Sequence, residues 1–502
     1  MDMIMKAFLM YKDHNFELKR RLSAHEQTLI QDLELNTLFD AMARNDEFIL
    51  DVSSKAVLYG INDVDTILYR QDILKDCLKN SSIVREIYNI TIETIASEKK
   101  HFLGLFSKYP SYILNRSIEV LEIFVDSLKK LRAITDEHAG KFVSEGFTAF
   151  FMMLEKEISD EYIKNVREHL ADLKLPYGTL ISAELGKGNK GMNYVLRKQH
   201  VIKQNWVKRI FAAKPEVYTF YISDRDEAGA SALMELNDMG INLAANALAQ
   251  STDHILNFFN TLRIELAFYI GCLNLYEQLE QIGELVSFPQ PEVQNERIHS
   301  FKGLYDICLA LTKKGKIVGN DLDADGKGLV IITGANQGGK STFLRSIGLS
   351  QLMLQCGMFV PAESLCANTG AGLFTHYKRE EDTSMSSGKL DEELKRMSDI
   401  ADNIKPDSII LFNESFAATN EREGSEIARQ IISALAEKRI KIFFVTHLYE
   451  FAHGFYQKKP EDAIFLRAER QTDGGRTFKI VEGEPLQTSF GEDLYKIVFE
   501  DT

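Results

Sequence analysis

Apolar residues recur at three- and four-residue steps in two long stretches of the chain. Ile118, Leu121, Phe124, Val125, Leu128 and Leu131 form the first run, and Ile255, Phe258, Phe259, Leu262, Leu266, Tyr269 and Leu273 form the second. That spacing predicts amphipathic helices with one buried stripe each. No proline falls between Pro110 and Pro176 or between Pro215 and Pro289, so either gap can hold a long helix, unless a turn such as the Gly140 region divides it into shorter ones. Residues 24–100 have a similar helical texture and predict a compact base for these arms.

Between the arms the texture changes. PYGTLISAEL, MNYVLRK and EVYTFYIS, within residues 176–223, are rich in Tyr, Val, Ile and Thr and bounded by Gly and Asn, as short strands are. A second change comes at SFPQPEVQNERIHSFKG, where Pro289 and Pro291 coincide with a loss of helical periodicity. Beyond it GLVIITG, DSIILFN and KIFFVTH are continuous apolar runs of strand length, each followed by a glycine-rich, polar or helical stretch. This pattern predicts a mostly parallel sheet covered by helices. The expected organisation is therefore multidomain: a helical core over residues 1–100, a first helical arm over 101–175, a β-rich insertion over 176–223, a returning arm over 224–287, and an α/β domain over 288–502.

Composition bounds this picture. The chain has 502 residues, 45% of them hydrophobic, which excludes a disordered or collagen-like protein. With 73 acidic against 59 basic side chains the formal net charge is -14, so the surface as a whole is unsuited to coating nucleic acid or an anionic membrane. A local exception stands out. From Lys187 to Lys214 there are eight basic residues (Lys187, Lys190, Arg197, Lys198, Lys203, Lys208, Arg209 and Lys214), together with His200, and no acidic residue. Lysine and arginine neutralise phosphates, and Tyr194, Trp206 and Phe211 offer stacking surfaces, so the stretch is a candidate DNA contact; the alternative is a solvated basic loop. Five scattered cysteines without a C-x-x-C pair suggest neither a disulfide framework nor a zinc ribbon and fit a reducing, cytoplasmic setting. The start of the chain makes a poor signal peptide, and TLRIELAFYIGCLNLYEQL is interrupted by Arg263 and Glu265, so no membrane segment is expected.

The strongest chemical signal is Gly334-Ala335-Asn336-Gln337-Gly338-Gly339-Lys340-Ser341-Thr342, which matches G-x-x-x-x-G-K-[ST], the Walker A pattern. The glycines let backbone amides wrap phosphate oxygens, Lys340 reaches the β/γ-phosphates, and the Ser341 hydroxyl is the candidate Mg2+ ligand. The strand Ser408-Ile-Ile-Leu-Phe ends in Asn413-Glu414. Nucleoside triphosphatases generally place an Asp and then a Glu there, for the magnesium shell and for the attacking water. Here Asn413 stands at the Asp position as a weak Mg2+ ligand, Glu414 is the candidate base, and slow hydrolysis is the expected consequence. A third strand ends in Thr446-His447, with His447 placed to sense the γ-phosphate.

GANQGGKST, SIILFNESFAATN and FVTHLYEF resemble the ATPase domain of the MutS DNA mismatch-repair family, whose phosphate loop reads G-P-N-M-G-G-K-S-T; Ala335 and Gln337 depart from it. The resemblance continues through DTSMSSGKLDEEL, Thr419 and GEDLYKIVF, and more weakly through DVDTILYRQDILKDCL. It implies an ABC-type P-loop ATPase that uses ATP and Mg2+. It also implies a face-to-face homodimer in which Ser386, Ser387 and Gly388 touch the nucleotide of the opposite subunit. The helical arms then take the place of the family's lever, and the basic insertion that of its clamp on DNA. Nothing resembles the family's mismatch-recognition and connector domains, so the expectation is a shortened member, reading duplex or branched DNA by shape. A nucleotide-switched protein-interaction module with little hydrolysis and no DNA role is the rival expectation.

Overall fold

The computed structural model describes residues 5–21, 23–100, 109–198, 219–379, 388–458, 460–471 and 475–487. The chain divides into two compact units, one formed by residues 1–7, 85–142 and 148–263 and the other by 8–84, 143–147 and 264–502. In chain order the helices of the first half are α1 (Ala24–Asp32), α2 (Leu35–Ala43), α3 (Glu47–Leu58), α4 (Val64–Lys79), α5 (Ser81–Lys100), α6 (Pro110–His138), α7 (Glu145–Glu157) and α8 (Asp160–Leu173). The hairpin β1 (Ile181–Leu185) and β2 (Gly191–Leu196) follows, and then α9 (Glu227–Gln281).

In the first unit, α6 opens with Pro110 in its first turn, where a missing N–H costs nothing, and buries Leu114, Ile118, Leu121, Phe124, Leu128 and Leu131 on one face. It stops at His138, and a single 3-10 turn over Ala139–Lys141 separates it from α7. The first proline-free gap therefore holds three helices. The second holds one uninterrupted helix of 55 residues. Its buried stripe includes Ile255, Phe258, Phe259 and Leu262, and Phe259 meets Phe124 with ring centroids 5.9 Å apart. Gly240 on α9 has no side chain because a Cβ there would lie 2.4 Å from Ile181, so this glycine lets the hairpin lie against the helix. The third expected strand is not formed where it is described. Phe220 and Tyr221 are more than 80% exposed in irregular chain, with no strand partner among the described residues. The rest of that segment, residues 216–218, lies outside the described residues.

The second unit packs α1–α4 and the end of α9 with two sheets. A four-stranded sheet has the order β3-β7-β4-β5, from β3 (Gln290–Glu292), β4 (His299–Leu304), β5 (Asn320–Asp323) and β7 (Ser364–Asn368). Helix α10 (Ile307–Lys313) connects β4 to β5. The larger sheet has the order β12-β11-β6-β10-β9-β8. Its strands are β6 (Leu329–Gly334), β8 (Leu373–Tyr377), β9 (Ile409–Asn413), β10 (Lys441–Val445), β11 (Ala463–Arg470) and β12 (Arg476–Glu482). Strands β6, β8, β9, β10 and β11 are parallel, and only β12 at the edge is antiparallel. The three apolar runs read from the sequence are β6, β9 and β10, adjacent and central, and every residue of β6 and β10 is buried. Helices α11 (Lys340–Gln355), α12 (Lys389–Asn403), α13 (Glu421–Glu437) and α14 (Tyr449–Lys458) also belong to this unit. Among the described residues no helix is long and apolar enough to cross a membrane.

One core position is costly. Lys441 opens β10 only 6% exposed, with Nζ donating to the Arg297 carbonyl at 3.2 Å. Burial pushes its pKa down to about 7, Asp325 opposing and Arg297 adding to the shift. Between that value and the ordinary lysine value the unfolded chain binds the extra proton, so stability rises with pH across this window and the full cost is present below pH 7. Lys441→Met is expected to raise unfolding free energy by about 2 kcal/mol at pH 6.5, and by less at pH 9.5. Urea unfolding at the two pH values measures both; an equal or negative change would show that the ammonium is well accommodated.

Candidate functional site

The connection after β6 runs to β8 at one edge of the sheet, whereas that after β10 crosses to β11 on the other side of β6, so the carboxyl end of β6 lies at a switch in winding direction, where such sheets form a crevice. The Gly334–Thr342 segment fills that position. Gly334 has φ 110° and Gly339, the N-cap of α11, has φ 88°, both in the left-handed region that favours glycine. A Cβ on Gly338 would come within 2.6 Å of Ala468 Cβ on β11, so the loop passes too close to its neighbour for any side chain. Gln337 adopts φ 57° without that freedom. The loop amides and the start of α11 make an anion-binding end.

Lys340 is buried, and its Nζ donates to the Gly334 and Ala335 carbonyls at 3.0 and 2.9 Å. Burial pushes its pKa down to about 8, partly offset by the Glu414 carboxylate and reinforced by Arg476. Arg476, on β12, donates from Nε to the Asn336 carbonyl at 3.3 Å. Ser341 Oγ donates to Asn413 Oδ1 at 3.0 Å, so the two candidate Mg2+ ligands already adjoin. Asn413 is paired with Val445 across the parallel β9–β10 ladder, and the Glu414 amide donates to the Val445 carbonyl at 2.9 Å. This register brings His447 beside Glu414, with Nε2 3.0 Å from Oε1. A carboxylate only accepts, so Nε2 carries the proton. That hydrogen bond is the main cause holding the Glu414 carboxyl below its usual range, against the opposing effect of burial.

A cavity of about 480 Å³ adjoins the loop, lined by Asn336–Thr342 and Glu414. Its volume lies in the usual range for a small-molecule site. Leu309, Ile317, Val318 and Phe478, with Lys313 and Lys316, also line it, and Phe478 lies against Gly339 of the loop. These six were not found from the sequence: they come from α10, the turn before β5, and β12, and no motif spaces them. The apolar wall suits a flat heterocycle, the lysines suit anions, and the loop suits a polyphosphate. Ser341 and Asn413 offer two neutral oxygens, a weaker magnesium site than one containing a carboxylate.

Gly388 is the N-cap of α12 and does not line this cavity, and Ser386 and Ser387 lie outside the described residues. Of the basic candidates, Lys187 and Lys190 are exposed at the β1–β2 turn. Arg197 donates from Nε to Ser182 Oγ at 2.8 Å, and Lys198 pairs with Asp172 at 2.8 Å. Lys203, Lys208, Arg209 and Lys214 lie outside the described residues, as does GEDLYKIVF.

Two family models match the chain. The MutS2 N-terminal domain matches residues 62–282, and MutS domain V matches residues 330–499, a span that contains the loop lysine, Asn413, Glu414 and His447. Among curated relatives, a DNA mismatch repair protein MutS of Lachnoclostridium phytofermentans is 23% identical over 476 residues, covering 88% of this chain and 49% of the relative. The MutS protein homolog 4 of Mus musculus is 26% identical over 255 residues, 50% of this chain and 25% of the relative. A DNA mismatch repair protein MutS of Syntrophomonas wolfei is 29% identical over 191 residues, 37% of this chain and 22% of the relative. The chain thus spans half or less of the length of these relatives. The helical part and the α/β part each match a model of the same family, in the family's order, and the chain belongs to the MutS family.

Proposed function

We propose that this protein is an ATP-dependent DNA-binding protein that binds and hydrolyses ATP to control a clamp on mismatched, branched or otherwise structured DNA. The observation that carries the reading is Glu414, an ionised carboxylate oriented by His447 at 3.0 Å on the strand end next to Lys340 and Ser341. In this reading the base packs on the apolar lining formed by Leu309, Ile317, Val318 and Phe478, and the triphosphate lies along the loop. Lys340 exchanges its two carbonyl partners for phosphate oxygens. Glu414 accepts a proton from the attacking water, and His447 holds the carboxylate and meets the γ-phosphate. Mg2+, held by Ser341 and Asn413, would neutralise phosphate charge; with no carboxylate in that pair, turnover is expected to be slow.

The relatives named for DNA mismatch repair support a DNA substrate, and two chains placed face to face would complete each other's nucleotide site through Ser386, Ser387 and Gly388. DNA is read here as the partner of residues 176–223, the clamp-like insertion between the arms at 101–175 and 224–287. The lone amide oxygen of Asn413 favours a second reading, a nucleotide-switched module that hardly hydrolyses ATP and binds proteins only.

Charge reversal separates the two. Changing Lys198, Lys203, Lys208 and Arg209 to Glu is expected to weaken binding of homoduplex and four-way-junction DNA at least about tenfold at 0.1 M salt and to flatten its salt dependence. Single-turnover ATP hydrolysis, measured with and without DNA, should respond to DNA in the wild type and lose that response in the variant. Unchanged DNA affinity, or tight ATP binding indifferent to DNA, would favour the protein-interaction module.

A further inference from the structure

Behind the strand end that carries Glu414 lies a closed ring of buried polar contacts. Glu393, on α12, is 4% exposed and its Oε2 accepts from the Phe416 amide at 2.9 Å. His376, on β8, is fully buried, with Nε2 3.0 Å from the Glu393 carbonyl and Nδ1 2.7 Å from Ser415 Oγ. A carbonyl can only accept, so Nε2 donates. Burial keeps the ring neutral by pushing its pKa down to about 4, so Nδ1 is an acceptor, and the Ser415 hydroxyl lies between Nδ1 and the His376 carbonyl, to which its oxygen is 2.5 Å, with one proton for these two acceptors. The His376 ring also stacks on Phe416, with centroids 5.2 Å apart and planes 19° from parallel. Ser415–Phe416 is therefore gripped through a hydroxyl, an amide and a ring.

The backbone explains why such a grip is needed. Glu414 has φ 53° and Phe416 has φ 64°, two non-glycine residues in the left-handed region on either side of Ser415. This conformation is disfavoured for L-residues and persists only where surroundings impose it. Helix α12 is otherwise a surface helix, with Glu393 and Met397 its only buried residues. One of its two buried anchors is thus a carboxylate, costly to bury unless it has a specific partner. Glu393 also stands five residues after Gly388, so the helix that follows the Ser386-Ser387-Gly388 segment is the one that holds the backbone next to Glu414.

We propose that Glu393, with His376 and Ser415, is a positioning residue for Glu414, setting the strained Glu414–Phe416 turn and coupling the placement of α12 to the orientation of the catalytic carboxylate. The inference rests on the reading of Glu414 as the base for ATP hydrolysis. It assigns Glu393 an effect on turnover rather than on nucleotide binding, because none of the ring residues lines the nucleotide cavity.

The test compares Glu393→Ala with Glu393→Gln in the full chain. Glu393→Ala is expected to lower kcat about tenfold or more while KM and the affinity for a fluorescent ATP analogue stay within about threefold. In Glu393→Gln the amide oxygen still accepts from Phe416 N–H, and kcat should return to within about threefold of wild type. An unchanged kcat in Glu393→Ala, a parallel loss of nucleotide affinity, or a Gln variant as impaired as the Ala one would overturn the assignment. Amide exchange supplies a readout independent of hydrolysis. The peptide containing Phe416 should exchange about tenfold faster in Glu393→Ala while the peptide of β10 is unchanged, and equal exchange at Phe416 would overturn the proposal. If Glu393→Ala does not fold, His376→Gln takes its place, with the same loss of kcat at unchanged affinity and the same faster exchange at Phe416 expected, and a wild-type result for His376→Gln would overturn the proposal. A wild type that turns over no ATP but shows the exchange difference would sink the ATPase reading and leave the positioning role standing.

Discussion

Replacing Glu414 by Gln leaves ATP bound and lowers its single-turnover hydrolysis by about 10² to 10⁴, the range expected when a general base is removed from a phosphoryl-transfer site. The substitution is nearly isosteric, and Gln can still hold the oxygen that accepts from His447 Nε2 at 3.0 Å, so the backbone and the loop need not move. What is lost is the negative charge and the capacity to take a proton from water. The wild-type carboxyl is held below its usual range chiefly by His447, so it stays ionised at neutral pH and would fail as a base only in acid. Rapid-quench measurement of phosphate release, paired with equilibrium binding of a fluorescent ATP analogue, distinguishes the outcomes. A rate within fivefold of wild type would remove Glu414 from the role of base. Equal losses of rate and affinity would make it a binding residue instead.

The parts of this site that were legible in the sequence are those whose chemistry is local. A continuous apolar run, a glycine turn and Lys340 follow one another within fifteen residues, and each demands the next. Asn413 and His447 were legible because the first ends a buried strand, β9, and the second follows two residues after the strand beside it, β10. The wall of the cavity was not. Phe478 reaches the loop only because β12 pairs with β11 and β11 with β6, a strand order that no short segment encodes. Glu393 was hidden for a different reason. KLDEELKR has the composition of a solvated helix face, and nothing local distinguishes the one carboxylate that turns inward to an amide 23 residues away. At the start of the chain the sequence alone shows only a poor signal peptide. Leu9 and Met10 there are fully buried, with Tyr269 donating to the Leu9 carbonyl at 2.5 Å and Arg70 to the Met10 carbonyl at 2.8 Å. Arg70 also reaches the Cys356 carbonyl, 3.3 Å away at the C-terminal end of α11, where a cation suits the helix dipole. Partners 60 to 286 residues apart leave no periodicity to read.

Raising the pH from 7 to 10 should weaken ATP binding about 100-fold through Lys340 alone. In the unliganded chain its ammonium is satisfied by two neutral carbonyls at 3.0 and 2.9 Å, and burial holds its pKa at about 8, with Glu414 opposing and Arg476 adding to the shift. A triphosphate favours the charged form, so the pKa rises on binding and binding takes up a proton wherever the free amine is neutral. Below pH 8 the lysine is already charged and affinity is flat. Above it, affinity falls about tenfold per pH unit until the pKa of the complex is reached. Titrations with a fluorescent ATP analogue in EDTA at constant ionic strength isolate this effect from Mg2+. Lys340→Met should bind weakly with no slope over the same range, because it has no proton to take up. A flat wild-type profile would mean that the lysine is fully charged before nucleotide arrives, and a slope surviving in Lys340→Met would assign the proton to another group. If both expectations hold, the buried lysine that looks mispaired in the free loop is the feature that ties ATP affinity to protonation.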